Sequence, residues 1–491
     1  MKLAPTRYIL GISAGYHDAA AALITTQGDI VFAGHAERYS KHKNDRYIHT
    51  GLLSEFCEYE LDTIAYYERP WLKQLRRLRS GEGIDWSSIT TQQVIRQQLG
   101  LWLSYRPEHI RSYPHHLSHA AAGFQTSPFE RATVVVIDAI GEFDTATIWS
   151  AEYDAEGRAV YRRLWSQGYP RSIGLFYSAV TQRIGLHPQD EEYITMGMAA
   201  YGEPVYVDEL KSLLTENLHI GIDPEFLPDA RNEDIAASAQ VVTEQLIYNI
   251  MLYARNFGFS TNLVYQGGVA LNCLANRNLG DYFENVWIMP SPGDAGSSIG
   301  AAALAYGGRI NWRNAYLGQE IPGEYPVDAI IDSLLSDRIC GVASGRAEFG
   351  PRALGNRSLL ADPRGSDIKE QVNAIKRRQA FRPFAPVILA EHCDEFFHMP
   401  SGFSHSPYMQ SVGHCRRPDS YPAIVHCDGT SRVQTVGRDG SGIRRLLETW
   451  YAATGCPMLL NTSLNIRGEP MVNDRADADR FERLYGVRVC S

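Results

Sequence analysis

Two stretches of the chain lay out the same succession of elements, and this recurrence restricts the fold more than any single motif does. "RYILGISAGYHDAAAALITTQGDIVFAGHAER" (residues 7–38) runs strand, glycine-containing turn, strand, tight "QGD" turn, strand, which reads as two hairpins in succession. "ATVVVIDAIGEFDTATIWSAEYDAEGRAVYRR" (132–163) begins again with a β-branched run, ends it on Asp138, and adds two strands around a "DAEG" turn. The residues themselves do not repeat, but a duplicated α/β architecture leaves this kind of trace. Helical spacing follows in "EDIAASAQVVTEQLIYNIMLYARNFG", then an apolar strand broken by Gly267 and Gly268, then "SPGDAGSSIGAAALAYGG", a turn opening a small-residue helix.

At 491 residues the chain exceeds one ordinary core. "NWRNAYLGQEIPGEYP" has the composition of an inter-domain connection, which places a boundary near residue 320. Residues 1–320 are expected to form the duplicated α/β domain and 321–491 a smaller α/β domain. A net charge of -9 disfavours a nucleic-acid partner, and the basic run "KQLRRLRSG" reads as a solvated helix face. The eight cysteines lack CxxC spacing, and no apolar run has the length of a membrane span. A cytoplasmic protein with reduced thiols and no membrane association is the expectation.

"SYPHHLSHAAAGF" places three of the fifteen histidines within five residues. His115 and His119 are four apart and share a face if the segment is helical, with His116 roughly a quarter-turn away. The spacing alone suits a transition-metal half-site and a pair of partner-satisfied histidines equally. Asp138 and Asp294 sit where a strand end and a turn deliver carboxylates to the mouth of a sheet, though each could equally stabilise a turn. Two imidazoles and two carboxylates suit Fe(II), Mn(II) or Zn(II). "QGGVALN" and "GDAGSSIGAA" could bring backbone close to a nucleotide, or be plain tight turns.

Beyond the boundary, Arg346, Arg352, Arg357, Lys376, Arg378, Arg382, Arg432 and Arg467 lie in glycine- or proline-rich surroundings, where guanidinium forks can clamp phosphate or carboxylate. "KRR" pairs with a later "NTSLN": a Lys and Arg two apart, and a Ser and Asn two apart on a strand that can share one face.

These segments, together with "EFGPRALGNRS" and "NTSLNIRGEP", make the chain resemble, nearly end to end, the NodU/CmcH family of O-carbamoyltransferases. The resemblance implies a TsaD-like domain of the actin-like ATPase (ASKHA) type, followed by a YrdC-like domain with KxR as Lys376 and Arg378 and SxN as Ser463 and Asn465. It implies an enzyme that makes carbamoyl adenylate from carbamoyl phosphate and ATP in the YrdC-like domain. The carbamoyl group then passes to a hydroxyl of a small natural product, sugar or nucleoside in the ASKHA domain. Carried over by residue, His115, His119, Asp138 and Asp294 would hold a divalent metal, with Fe(II) expected ahead of Zn(II) or Mn(II), and Mg(II) would accompany ATP. His17 would be the base, and Lys43, Gly267, Gly268 and Asn272 would contact the adenylate. Lys376, Arg378, Arg432, Asn461, Ser463 and Asn465 would hold carbamoyl phosphate and ATP.

Against this pattern, Ala139 replaces a usual Gly, and Ile194 and Thr195 stand where Lys and Val are common, changes expected near the acceptor. The acceptor's identity stays open, as does the oligomeric state, for which a homodimer is one option. Alternatives are a tRNA threonylcarbamoyl-type enzyme and a non-catalytic nucleotide-binding regulator.

Overall fold

The computed structural model describes residues 7–100, 109–379, 382 and 384–491. The chain divides into two compact units, one comprising residues up to Ser40, Asn44–Ala275 and Asp281–Asn314, the other Lys41–Lys43, Asn276–Gly280 and Ala315–Ser491. The division falls at Asn314/Ala315. The segment read as a connection contains a strand, Tyr316–Ile321, that pairs antiparallel with Gly345–Glu348 of the second unit. Lys43, expected on the first domain, is thus part of the second.

The first unit carries two five-stranded sheets of one design. The first comprises β1 (Tyr8–Ser13), β2 (Ala20–Thr25), β3 (Ile30–His35), β4 (Leu61–Tyr66) and β5 (His109–Ser112), in the order β3-β2-β1-β4-β5. The second comprises β6 (Arg131–Gly141), β7 (Asp144–Tyr153), β8 (Ala159–Gly168), β9 (Asn262–Gln266) and β10 (Asn285–Trp287), in the order β10-β9-β6-β7-β8. In each, the first three strands form an antiparallel meander and the last two add in parallel beside the first strand. The recurrence in the sequence is therefore a duplicated α/β layout, as the resemblance implies.

Of the helices that position the site, α1 is Pro70–Arg79, α2 is His115–Phe124 and α3 is Ser297–Tyr306. α2 follows the first sheet but packs on the second, against β6 and β9, whereas α3 follows the second sheet and packs on β1, β2 and β4. The two helices also lie against each other, so closely that a Cβ on Gly300 would fall 1.8 Å from the Ser118 carbonyl oxygen. Small residues in both helices, Ala120, Ala121, Ala122, Ala301, Ala302 and Ala303, all buried, make that approach possible.

The second unit is built on a six-stranded mixed sheet. Its strands are β12 (Ile339–Ala343), β14 (Arg357–Ala361), β15 (Ala385–Leu389), β19 (Gln434–Val436), β20 (Met458–Ser463) and β21 (Val489–Cys490), ordered β19-β15-β20-β14-β12-β21. The other strands here are β11 (Tyr316–Ile321), β13 (Gly345–Glu348) and a small sheet of β16 (Phe397–His398), β17 (Gly413–Cys415) and β18 (Thr430–Ser431). A fourth helix, α4 (Ile368–Lys376), ends at the KRR sequence on Arg377 in left-handed conformation. Among the described residues no helix is long and apolar enough to cross a membrane.

Candidate metal centre and anion site

His115 opens α2 and His119 follows one turn later, so both imidazoles leave the same face of the helix. Asp138 lies near the end of β6, and Asp294 in the turn that leads into α3. The reciprocal packing of α2 and α3 brings these four residues together, all buried, with one ligand atom from each within 4.8 Å of the others. His115 Nε2 stands 3.1 Å from Asp138 Oδ2 and 3.4 Å from Asp294 Oδ1, and the corresponding distances from His119 Nε2 are 3.4 and 3.3 Å.

The chemistry of this donor set fits a cation. The Nε2 atoms of His115 and His119 face each other at 3.1 Å, an arrangement that repels unless a proton or a cation lies between them. His119 Nδ1 is 3.1 Å from the Pro292 carbonyl, which can only accept, so the ring carries its proton on Nδ1 and its Nε2 lone pair turns to the cluster. Metal–nitrogen and metal–oxygen bonds of about 2.0–2.2 Å place adjacent ligands about 3.0–3.5 Å apart, the spacing found here. Burial, the largest influence on each group, opposes ionisation. The pairing outweighs it, holding His115 and His119 above the usual imidazole range and Asp138 and Asp294 below the usual carboxylate range.

His17 borders this cluster, with Nε2 3.9 Å from Asp294 Oδ2 and Nδ1 3.0 Å from Asp18 Oδ2. Burial lowers its pKa, but the Asp18 hydrogen bond and the Asp294 charge raise it further, to about 9. Without a cation in the cluster His17 is therefore imidazolium, and a cation there would remove the Asp294 part of that shift. His116, turned away as its spacing implies, pairs through Nδ1 with the Thr147 hydroxyl at 2.9 Å.

Gly267 and Gly268 border the same centre, and Asn272 hydrogen-bonds residues outside it. Gly268 N–H donates to Asp138 Oδ1 at 3.1 Å, orienting a candidate ligand. Gly267, at φ +92, lets the chain pass against β6, where a Cβ would fall 2.1 Å from the Ile137 carbonyl oxygen. The Asn272 side chain exchanges hydrogen bonds with Gln240 at 3.0 and 3.1 Å and accepts from Ala275 N–H. Ile194 and Thr195 are both buried, and Thr195 hydrogen-bonds Thr181 at 2.9 Å, so these departures pack the fold. Ala139 accepts a hydrogen bond at its carbonyl from Ser172 at 2.5 Å.

In the second unit, Lys376, Ser463 and Asn465 come together. Lys376 Nζ donates to the Ser463 carbonyl at 2.5 Å and to Asn465 Oδ1, and Ser463 Oγ donates to the same Asn465 oxygen at 2.8 Å. Burial, together with the charges of Arg378, Arg382 and Lys43, holds the Lys376 ammonium well below the usual lysine range. Three further cationic side chains around the Lys376 amine give this cluster the charge that a polyanion would need. Arg378 is steadied by Asn373 at 2.7 Å and lies over the Phe384 ring at 4.0 Å. Asn461, two residues before Ser463, donates to the Ala353 carbonyl and Gln434, while its Oδ1 is buried without a hydrogen-bond partner among the described residues. Arg432 likewise has a buried Nε without a partner there.

The "EFGPRALGN" loop is fixed from both sides. Glu348 Oε1 accepts the N–H groups of Leu354, Asn356 and Arg357 at 2.8, 2.9 and 3.2 Å, while the hydroxyls of Tyr316 and Tyr325 donate to the Leu354 and Gly355 carbonyls, each at 2.9 Å. Two of the arginines grouped above as anion ligands are structural. Arg346 donates to the Leu317 and Gly318 carbonyls, and Arg357, fully buried, spends its guanidinium on carbonyls of Gln319, Ser344, Asn356 and Asn473. The basic run on α1 is only partly a solvated face, since Lys73 pairs with Glu68 at 2.7 Å and buried Arg76 with Glu82 at 2.5 Å.

Glu68 is the residue near the metal centre that sequence reasoning overlooks. It ends the buried run "LDTIAYYE", the same signal of an acid closing an apolar strand that marks Asp138.

A duplicated α/β unit holds two histidines and two aspartates in one buried cluster, and a second α/β unit holds a Lys-Ser-Asn cluster, the layout of a two-unit α/β protein. The carbamoyltransferase N-terminus family model matches residues 87–227 and 218–303, and the carbamoyltransferase C-terminus model matches 331–489. The chain belongs to the carbamoyltransferase family. It is 32% identical over 585 residues to an uncharacterized protein of Synechocystis sp., covering 96% of this chain and 94% of that one. It is 32% identical over 415 residues to nodulation protein NolO of Bradyrhizobium diazoefficiens (74% and 75% covered), and 28% over 528 residues to nodulation protein NolNO of Sinorhizobium fredii (94% and 76%). Among solved structures, a dehydratase activator from Clostridium difficile with bound ADPNP gives a TM-score of 0.34 at 14% identity, covering 61% of this chain and 94% of that one.

Proposed function

We propose that this carbamoyltransferase is ATP-dependent and works in two steps on an alcohol acceptor. In the second unit, carbamoyl phosphate, ATP and water would give carbamoyl adenylate, pyrophosphate and inorganic phosphate. In the first, an acceptor hydroxyl would attack the carbamoyl carbon and AMP would leave, giving an O-carbamoyl product. The observation that supports this reading is the presence of two clusters in one family member: the buried His115–His119–Asp138–Asp294 group, and the contact of Lys376 with Ser463 and Asn465.

Lys376, Arg378, Arg382 and Lys43 would bind and orient the phosphates, with Asn461 Oδ1 and Arg432 Nε offering an acceptor and a donor to the same ligands. His115, His119, Asp138 and Asp294 would hold the divalent ion, Fe(II) ahead of Zn(II) or Mn(II), which when bound supplies positive charge that stabilises a leaving phosphate. His17, oriented by Asp18, would take the proton of the acceptor hydroxyl at Nε2. The acceptor class is a small hydroxyl-bearing natural product, sugar or nucleoside.

The test separates the half-reactions. Carbamoyl phosphate-dependent exchange of pyrophosphate into ATP should be present in wild-type protein and survive in H119A, while transfer to an alcohol is lost. Equal loss of both in a folded H119A variant would overturn the division of labour. Absence of exchange in wild-type protein would overturn the reading itself.

A further inference from the structure

The two histidines of the cluster are held differently behind the ring. His119 donates Nδ1–H to a neutral backbone carbonyl, that of Pro292. His115 Nδ1, buried and without a hydrogen bond among the described residues, instead faces a carboxylate: Glu68 Oε2, at 3.9 Å. Glu68 is 4% exposed and lies just past the end of β4, the strand next to β1 in the first sheet. Its other oxygen, Oε1, accepts from Lys73 Nζ of α1 at 2.7 Å and from the Tyr66 hydroxyl at 3.3 Å. That hydroxyl also lies 2.5 Å from the Ala14 carbonyl, three residues before His17.

We infer that Glu68, carried by Lys73, is a positioning residue for His115, holding the ring with its proton on Nδ1 and its Nε2 lone pair toward the metal position. This role rests on the metal reading above. Two arguments support it. A carboxylate behind a ligating imidazole fixes the tautomer and makes the ring a stronger donor, so a site with one carboxylate-backed and one carbonyl-backed histidine has two unequal ligands. The charges also close: Glu68 and Lys73 neutralise each other, leaving the two charges of Asp138 and Asp294 for one divalent cation. A third unpaired carboxylate this close would overcharge the site, which explains why a part-buried lysine from a different element is brought to it.

Glu68→Gln tests the tautomer. Its amide oxygen can still accept from Lys73, but the face turned to His115 becomes an N–H donor, which asks Nδ1 to accept and moves the ring proton to Nε2, where it blocks ligation. Glu68→Asp retracts the carboxylate by one methylene, which the flexible Lys73 side chain can follow and the His115 ring cannot, so it separates loss of the His115 contact from loss of the Lys73 pair. The readouts are dissociation constants for Fe(II), Zn(II) and Co(II) by chelator competition and the visible spectrum of the Co(II)-loaded protein, with the circular dichroism spectrum as the check on folding.

Expected is a roughly 10–100-fold weaker affinity in both variants and displaced Co(II) bands in E68Q, at wild-type secondary structure. Wild-type affinity and an unchanged Co(II) spectrum in folded E68Q would overturn the assignment while leaving the metal site intact. If E68Q does not fold, E68D decides by the same affinity measurement. A wild-type protein that takes none of the three metals would overturn the metal reading, and this role with it.

Discussion

His115 and His119 bring their Nε2 atoms to 3.1 Å of each other inside a ring closed by Asp138 and Asp294. Neither imidazole has a polar alternative on that side, so the pair is stable only with protons or a cation between the rings and the carboxylates. The two aspartates, as anions, hold both histidines above their ordinary pKa against the opposing effect of burial.

A first prediction follows from that competition. A histidine whose folded pKa is raised keeps its proton to higher pH than a free imidazole, and it must lose that proton to ligate. Loading the metal-free protein with a divalent cation at pH 7 should therefore release about one to two protons per ion. Calorimetric titration in buffers of different ionisation enthalpy measures this directly. Binding enthalpies independent of the buffer would show that the rings are already neutral.

A second prediction separates two arginines that look alike in sequence. Arg357 is fully buried and serves carbonyls from four residues, whereas Arg378 stands at the end of α4 beside Lys376. R357K cannot reach the same carbonyls with one ammonium and should lose about 2–5 kcal/mol of stability. R378A should instead abolish pyrophosphate exchange while its urea midpoint stays close to wild type. A stable R357K variant with defective exchange would assign Arg357 to the ligand.

The contrast shows where the sequence is legible. The duplicated meander could be read because strand, turn and strand follow in order along the chain, and His115 and His119 could be paired because helical spacing is local. The approach of Asp294 to those histidines could not be read from spacing, because it depends on α2 and α3 crossing to each other's sheets. Arg357 and Arg378 share a glycine- and proline-rich context, and only the carbonyls around Arg357 distinguish them. Glu68 was within reach of sequence reasoning, since it closes an apolar strand as Asp138 does, but its partner Lys73 lies on a helix whose basic run suggests a solvated face. Lys43 joins the second unit through a three-residue excursion of the chain that leaves no mark in composition.

A third prediction concerns acid stability. His35 closes β3 with 8% of its surface exposed, and burial, aided by the charge of Arg38, lowers its pKa to about 3. The unfolded chain takes up a proton near pH 6.5 that the folded protein refuses, so stability is full above that pH and falls as pH drops through the window from about 6.5 toward about 3. Between pH 7.5 and 5.5 this one group should account for about 1 kcal/mol. Urea midpoints for wild type and H35Q at both pH values measure it, and an equal pH dependence in the two proteins would refute it.

The last prediction tests the close contact that assembles the metal centre. Gly300 of α3 faces Ser118 of α2, and an added Cβ would lie 1.8 Å from the Ser118 carbonyl oxygen and 3.0 Å from Ala122 N, both backbone atoms of a buried helix that cannot turn aside. G300A must therefore push the helices apart, at a cost of about 1–3 kcal/mol. Because α2 carries both histidines and Asp294 lies just before α3, the same displacement should weaken metal binding as well as stability. Gly197 supplies the control: it lies within a helix, Glu192–Met198, and a Cβ there would meet nothing within 4 Å. G197A gains helix propensity without a clash and should be neutral or stabilising by up to about 1 kcal/mol, with metal affinity unchanged. Thermal unfolding and chelator competition on the two variants read both consequences. A G300A protein with wild-type metal affinity would mean that the cluster does not depend on how closely these helices approach.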